Sequence, residues 1–104
     1  MLIQFTNHAK NDRLNKRLLD LVTIKEVIEA VKSHEEDFIN CREYFFVEVK
    51  RFNNRIYLDN IVTDDTPKGD VIVVKVCKIN WNVAQIRTVM LRKSSSISAE
   101  YIAR

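Results

Sequence analysis

TIKEVIEAV, residues 23–31, is the stretch of sequence that decides the fold. Its apolar residues recur at the i, i+3, i+4 and i+7 spacing of one helical face. Thr23 and Glu26 have the spacing of a capping box, in which each side chain bonds a backbone N–H that the first helical turn leaves free. A helix with a single apolar stripe has to bury it against another element. We therefore expect this helix to lie on a sheet. The apolar positions are Ile24, Val27, Ile28 and Val31.

Composition places the chain among small globular proteins. It has 104 residues, of which 46% are hydrophobic and 30% charged, so we expect one domain with its own core. No apolar run approaches the roughly 20 residues needed to span a bilayer. The first residues lack the basic and apolar regions of a signal peptide, so we expect a cytoplasmic protein. The formal net charge of +3 is compatible with a polyanionic partner.

The sequence argues against several kinds of cofactor. It has a single glycine, which excludes the glycine-rich loops that bind dinucleotides and nucleoside triphosphates. Cys41 and Cys77 are far apart and no histidine lies near them at a metal-binding spacing, so we expect two reduced thiols. We expect neither a metal nor a nucleotide cofactor.

The first half of the chain has a strand followed by helices. Leu2–Phe5 alternates apolar and polar residues, which is typical of a short strand. Residues 8–20 are predicted to form a first helix, with Ala9, Leu14 and Leu18 on its buried side. The second helix is predicted to run from Ile24 to about residue 36. Its C-terminal end carries three acidic residues, at 35–37. The helix dipole disfavours negative charge there, so this end is expected to fray.

The second half is rich in β-branched and aromatic residues. Two such runs, at residues 44–52 and 55–62, flank an Asn-Asn pair and predict a β-hairpin. Strands are also predicted at 70–79 and 83–92, with a turn at 80–82. The expected fold is therefore α+β, with a short N-terminal strand, two helices and a four-stranded, mostly antiparallel sheet. One domain would cover residues 1–93, and residues 94–104 would form a C-terminal tail.

A local pattern resembles a known group of proteins. Phe-Thr-x-His-Ala at residues 5–9, Arg13 and Arg17, and Thr-Ile-x-Glu-Val at residues 23–27 are similar to small bacterial and phage domains of unknown function. The pattern places an arginine four residues after the histidine, where this chain has Asp12. The layout also resembles RelE/ParE-like toxins and other barnase-type ribonucleases that need no metal. The resemblance implies a two-layer fold and activity on RNA.

Several residues could carry such chemistry. A neutral His8 at a helix N-terminus could take a proton from a ribose hydroxyl, or it could simply cap the helix. Arg13 and Arg17, spaced by four residues, could hold a phosphodiester, or they could form a solvated basic face. The resemblance adds Arg87 to this catalytic set and also draws attention to Tyr101. The further candidates for RNA contact are Lys10, Lys16, Trp81, Arg92 and Tyr101.

Two features leave the choice among these roles open. Arg87 and Arg92 are five residues apart on one predicted strand, so they should face opposite sides of the sheet. Trp81 could stack on a base or cap a hairpin. The sequence thus predicts a metal-independent endoribonuclease or a toxin-like RNA-binding protein. The alternative is a non-catalytic phage or bacterial accessory protein that binds a partner, or itself, through a sheet edge and Tyr44–Phe46.

Overall fold

The structure, a computed structural model, describes residues 1–14, 18, 20–57, 68–93 and 102–103, with the backbone alone at 13, 102 and 103. Among the described residues, one short strand and three helices come first, and four strands follow. In order, the elements are β1 (Leu2–Phe5), a π-helix (His8–Leu14), α1 (Ile24–Lys32), α2 (Glu35–Asn40), β2 (Tyr44–Tyr57), β3 (Lys68–Asn80), β4 (Val83–Arg92) and β5 (Ile102–Ala103).

The strands form one mixed sheet in the order β1-β4-β3-β2-β5. The central pairs, β2 with β3 and β3 with β4, are antiparallel. The outer strands β1 and β5 each add in parallel to their neighbour. The α+β prediction is confirmed, as are the predicted bounds of β1 and β4. Ile102–Ala103 joins the sheet, and the rest of the predicted tail lies outside the described residues.

One apolar core lies between the helices and one face of the sheet. Val27 and Val31 of α1 are fully buried in it, and Ile24 packs against it, which confirms three of the four residues of the predicted stripe. Ile28 is half-buried and does not belong to the core cluster. Phe38 of α2 is the largest fully buried side chain. The sheet contributes alternate residues of its central strands, which are Val47, Ile72, Val74, Val76, Ala84, Ile86, Val89 and Leu91. Within the described part of the chain, no helix is long and apolar enough to cross a membrane.

The predicted capping box opens α1. The Glu26 N–H donates to the Thr23 hydroxyl, and the Thr23 N–H donates to the Glu26 carboxylate, each at 3.1 Å. Lys50 reaches over from β2, with its ammonium 3.3 Å from the Glu26 carboxylate and 3.2 Å from the Leu21 carbonyl. This group of contacts ties the start of α1 to the sheet.

The predicted second helix is in fact two helices. The first ends at Lys32, where the Ser33 hydroxyl donates to the Ala30 carbonyl at 2.7 Å. The second begins after His34, whose Nδ1 also lies 2.8 Å from that carbonyl. The acidic residues 35–37 therefore occupy the first turn of α2, where the helix dipole favours negative charge. The expectation of a frayed acidic end was wrong because the helix stops before it.

The predicted first helix is also shorter than expected. It is a π-helix that ends at Leu14, and Leu18 lies in a bend. The expected buried residues are nonetheless correct, since Ala9, Leu14 and Leu18 are all in the core. Ala9 and Leu14 are five residues apart, which matches the i to i+5 hydrogen bonds of a π-helix.

The predicted hairpin at Asn53-Asn54 is wrong. The strand β2 runs straight through this pair, and its pairing with β3 is interrupted between Arg51 and Ile56. A tight Asn-Asn hairpin turn needs positive φ angles at both residues. No described non-glycine residue has a positive φ angle. The two asparagines therefore form an irregularity within one long strand instead of a turn.

Candidate nucleic-acid interface

The sheet has a second face, which points away from the core and is here called the outer face. Among the described residues, the core cluster with the helices includes no side chain from this face. Alternation along the strands and the register between them assign its members. They are Tyr44, Phe46, Glu48, Arg51, Val71, Val73, Lys75, Cys77, Gln85, Arg87, Thr88, Met90 and Arg92.

A β-bulge in β4 sets the direction of Arg87. Lys75 pairs with Thr88 and Val76 pairs with Ile86, so Arg87 is an extra residue in the ladder. Such an insertion leaves the extra residue unpaired and reverses the alternation that follows it. Arg87 follows the core residue Ile86, and Arg92 follows the core residue Leu91. Both arginines therefore lie on the outer face, and the prediction that they face opposite sides was wrong.

A second bulge, in β2, sets the direction of Arg51. Glu48 pairs with Val73 and Lys50 pairs with Ile72, which leaves Val49 as the extra residue. Because of this insertion, Glu48 and Arg51 share the outer face although they are three residues apart. Their carboxylate and guanidinium groups form an ion pair. Lys50, in contrast, faces the helices and reaches Glu26.

Long side chains flank the two valines at the centre of the outer face. Val71 and Val73 are 0% and 2% exposed, although neither belongs to the core cluster. Val71 lies between Arg51 and Arg92 in the ladder. The Arg92 guanidinium donates to the Met90 sulfur at 3.1 Å, so this arginine lies along the sheet.

An aromatic and cationic cluster lies near the start of β2. The Tyr44 and Phe46 rings meet edge to face, with centroids 5.8 Å apart. The Lys75 ammonium stands 4.5 Å from the centre of the Tyr44 ring, within the range of a cation–π contact. Tyr44 is 45% exposed, so part of its ring is open to a ligand.

The outer face is strongly basic. It carries four cationic side chains, at Arg51, Lys75, Arg87 and Arg92, and one carboxylate, at Glu48, for a net charge of 4 − 1 = +3. That equals the formal net charge of the whole chain. Among the described residues, no carboxylate forms an ion pair with Arg87 or Arg92.

His8 begins the π-helix, whose Ala9 and Leu14 are buried in the core on the helix side of the sheet. Thr6 links this helix to the bulge, since the Thr6 hydroxyl donates to the Arg87 carbonyl and accepts from the Ala9 N–H, both at 3.1 Å. The His8 Nδ1 is 3.5 Å from the Asp12 carboxylate, and both side chains are more than half exposed. These two bonds connect the backbones of Arg87 and Ala9 through the Thr6 hydroxyl, whereas the side chain of Arg87 points to the outer face.

The other predicted site residues are only partly placed. The backbone of Arg13 belongs to the π-helix, and the shared helical face predicted for Arg13 and Arg17 lies outside the described residues. Arg17, Lys16, Tyr101 and the side chain of Arg13 lie outside the described residues. Lys10 is exposed on the π-helix, one turn beyond Thr6.

Trp81 lies elsewhere, in the turn between β3 and β4. Its side chain is 83% exposed and borders a groove together with Glu35 and Ile39 of α2. The structure therefore does not bring Trp81 together with Arg87 and Arg92.

The two cysteines are free thiols, as expected. Burial raises the pKa of the Cys41 thiol, although the nearby Lys78 ammonium works in the opposite direction. A raised pKa keeps the sulfur protonated and poorly nucleophilic. In the described part of the chain, no group of three or more histidine, cysteine, aspartate or glutamate side chains could hold a metal ion.

Sequence reasoning missed Lys75 and Arg51 as members of the site. Lys75 interrupts the apolar run of β3, and this single charge was the available signal. Arg51 could not be assigned, because its face depends on the bulge at Val49.

No protein-family model, curated protein or solved structure matches the chain. The resemblance to RelE/ParE-like toxins therefore stays a prediction.

Proposed function

We propose that this domain binds single-stranded RNA on the outer face of its sheet. The observation that carries the proposal is the concentration of Arg51, Lys75, Arg87 and Arg92 beside the exposed Tyr44 ring. Single-stranded nucleic acids bind where a positively charged surface follows the backbone and aromatic rings stack on the bases. The outer face combines both features on three neighbouring strands.

The same geometry argues against a hydrophobic partner on this face. A sheet face that binds an apolar partner exposes apolar side chains when the partner is absent. Here Val71 and Val73 are buried, and the positions beside them carry charged or flexible side chains. A partner with many negative charges can accept hydrogen bonds from the guanidinium groups. An apolar partner would remove water from these groups and offer no hydrogen bonds in return.

The test is the affinity for a fluorescently labelled single-stranded RNA, measured by anisotropy over a range of salt concentrations. Arg87→Gln and Lys75→Gln should each weaken binding and make the plot of log K against log[salt] shallower by about 0.7. Lys25→Gln is the matched control, because Lys25 lies on the exposed side of α1. Equal losses in all three variants, or no binding at all, would contradict the proposal.

A second candidate function, RNA cleavage, is favoured by the pair formed by His8 and Asp12. A carboxylate 3.5 Å from the imidazole can hold the ring in one orientation. In this scheme His8 removes the proton of a ribose 2′-hydroxyl, and the resulting oxygen attacks the adjacent phosphorus. The bond from phosphorus to the 5′-oxygen breaks, and the leaving oxygen takes a proton from water, which gives a 2′,3′-cyclic phosphate and a 5′-hydroxyl. Arg87 stabilises the added negative charge, and Arg13 and Arg17 are proposed to assist.

Cleavage is tested by incubating the protein with RNA in the presence of EDTA. The parent should produce fragments, and His8→Ala should abolish them while retaining the affinity for RNA. Loss of affinity together with cleavage would reassign His8 to binding. If the parent protein leaves the RNA intact, the cleavage proposal is wrong and only the proposed binding function stands.

A further inference from the structure

The end of the sheet opposite Arg92 carries an apolar groove that the RNA proposal does not use. Its volume is about 450 Å³, and its lining residues include Met1, Phe38, Ile39 and Trp81. Trp81 is 83% exposed and Ile39 is 60% exposed. Exposed large apolar side chains that meet at one concave surface are typical of a protein-binding site.

The first turn of α2, at the border of this groove, is acidic. Glu35 lines the groove, and Glu36 and Asp37 follow in the first turn of α2. None of the three forms an ion pair with a described residue. The Lys78 ammonium also lines the groove, and it is held in place by hydrogen bonds to the Ile39 and Cys41 carbonyls at 2.9 and 3.3 Å. It also lies 5.2 Å from the centre of the Phe38 ring.

A free strand edge begins beside the groove. Met1 lines the groove and leads directly into β1, whose N–H at Leu2 donates to the Asn82 carbonyl at 2.7 Å. Among the described strands, β1 pairs only with β4, so its other edge is open. An open edge offers backbone hydrogen bonds to an added strand.

We propose that the groove and the β1 edge together bind an extended peptide segment of another protein. The segment carries an apolar side chain that fills the groove between Ile39 and Trp81, with lysine or arginine beside it to meet Glu35. Complementary charge selects this occupant over RNA, whose phosphates would be repelled by the acidic turn of α2. The inference is independent of the proposed RNA function, because the two surfaces share no residue.

Trp81 is itself the reporter for a test, since it is the only tryptophan in the chain. The probe is a tryptophan-free peptide, acetyl-Thr-Val-Lys-Leu-Lys-Val-Thr-amide, and its matched control has glutamate in place of both lysines. The lysine peptide should shift the Trp81 emission to the blue and protect it from acrylamide. The glutamate peptide should bind at least about tenfold more weakly, a difference of about 1.4 kcal/mol.

Variants identify the surface. Ile39→Asp should abolish the shift with the lysine peptide, and Glu35→Lys should reverse the preference between the two peptides. Ile79→Asp is the control, because Ile79 is 49% exposed but does not line the groove.

Three results would overturn the inference. The first is an equal change of Trp81 emission with both peptides, and the second is no change with either peptide. The third is a change of Trp81 emission with single-stranded RNA but not with the peptides. A blue shift that grows with protein concentration alone would assign the groove to a second copy of the chain, and would also overturn it.

Discussion

At the scale of single residues, the proposed function depends on how a few side chains are presented. Tyr44 shows part of its ring to solvent while Lys75 holds a positive charge over it at 4.5 Å. Arg87 has no described carboxylate partner. A ring that can stack on a base therefore lies beside cations that can contact phosphates.

Replacement of Tyr44 tests the stacking role. We expect Tyr44→Ala to weaken RNA binding by about 1–3 kcal/mol, the usual value of one base stacked on an aromatic side chain. Tyr57→Ala is the matched control, since Tyr57 lies at the other end of the same strand with a similar exposure of 42%, against 45% for Tyr44. Titration of labelled RNA measures both, and a larger loss in the control would refute the role of Tyr44.

A second prediction at this scale concerns acid stability. The hydrogen bond from the Thr23 N–H, helped by the Lys50 ammonium, lowers the pKa of Glu26 below its ordinary value of 4.5. A lowered pKa in the folded state stabilises the protein above pH 4.5, and this contribution is lost as the pH falls through the folded pKa.

Glu26→Gln should therefore be less stable than the parent at neutral pH. The difference should shrink as the solution is acidified below pH 4.5. Urea unfolding at several pH values measures it, and a difference that stays constant with pH would show that the carboxylate charge is not involved.

At the scale of elements, two β-bulges decide which residues form the outer face. The alternation of apolar residues predicted β1 and β4 correctly, and it placed β3 to within two residues. It could not predict the side of Arg87 or Arg51, because one inserted residue reverses every later position. The bulges are set by how neighbouring strands pair, which local sequence does not encode.

The bulge in β4 can be removed in two ways. Deletion of Arg87 and deletion of Thr88 both leave one residue between Ile86 and Val89, which restores regular pairing and keeps both of these residues in the core. We expect both variants to fold, at a cost of about 0.5–3 kcal/mol, the usual range for a single change. Only the Arg87 deletion removes a guanidinium, so it should bind RNA more weakly. Equal affinities would show that Arg87 makes no contact.

Gly69 provides a prediction about the pairing of β3. Gly69 lies within β3, one residue before the strand predicted at 70–79, and it is buried. A Cβ atom at this position would lie 2.3 Å from the backbone oxygen of Arg92. Gly69→Ala should destabilise the protein by about 1–3 kcal/mol, as overpacking does in cores. Thermal unfolding measures this, and an unchanged midpoint would contradict the close approach.

At the scale of the whole molecule, the chain places its helices on one face of the sheet and its excess positive charge on the other. The two-layer arrangement followed from the apolar stripe of residues 23–31. The site followed only in part, because the sequence drew attention to His8, Arg13 and Arg17, whereas the described cationic cluster is on the sheet. Long-range pairing brings Tyr44, Lys75 and Arg87 together across three strands.

The most direct test of RNA binding by the outer face is a titration of the isotopically labelled protein with single-stranded RNA, followed by amide NMR. We predict that the largest changes in amide chemical shift fall in residues 44–48, 73–77 and 85–92, and that the amide chemical shifts of α1 do not change. Shifts confined to the helices or to the turn at Trp81, or a spectrum that RNA leaves unchanged, would contradict this prediction.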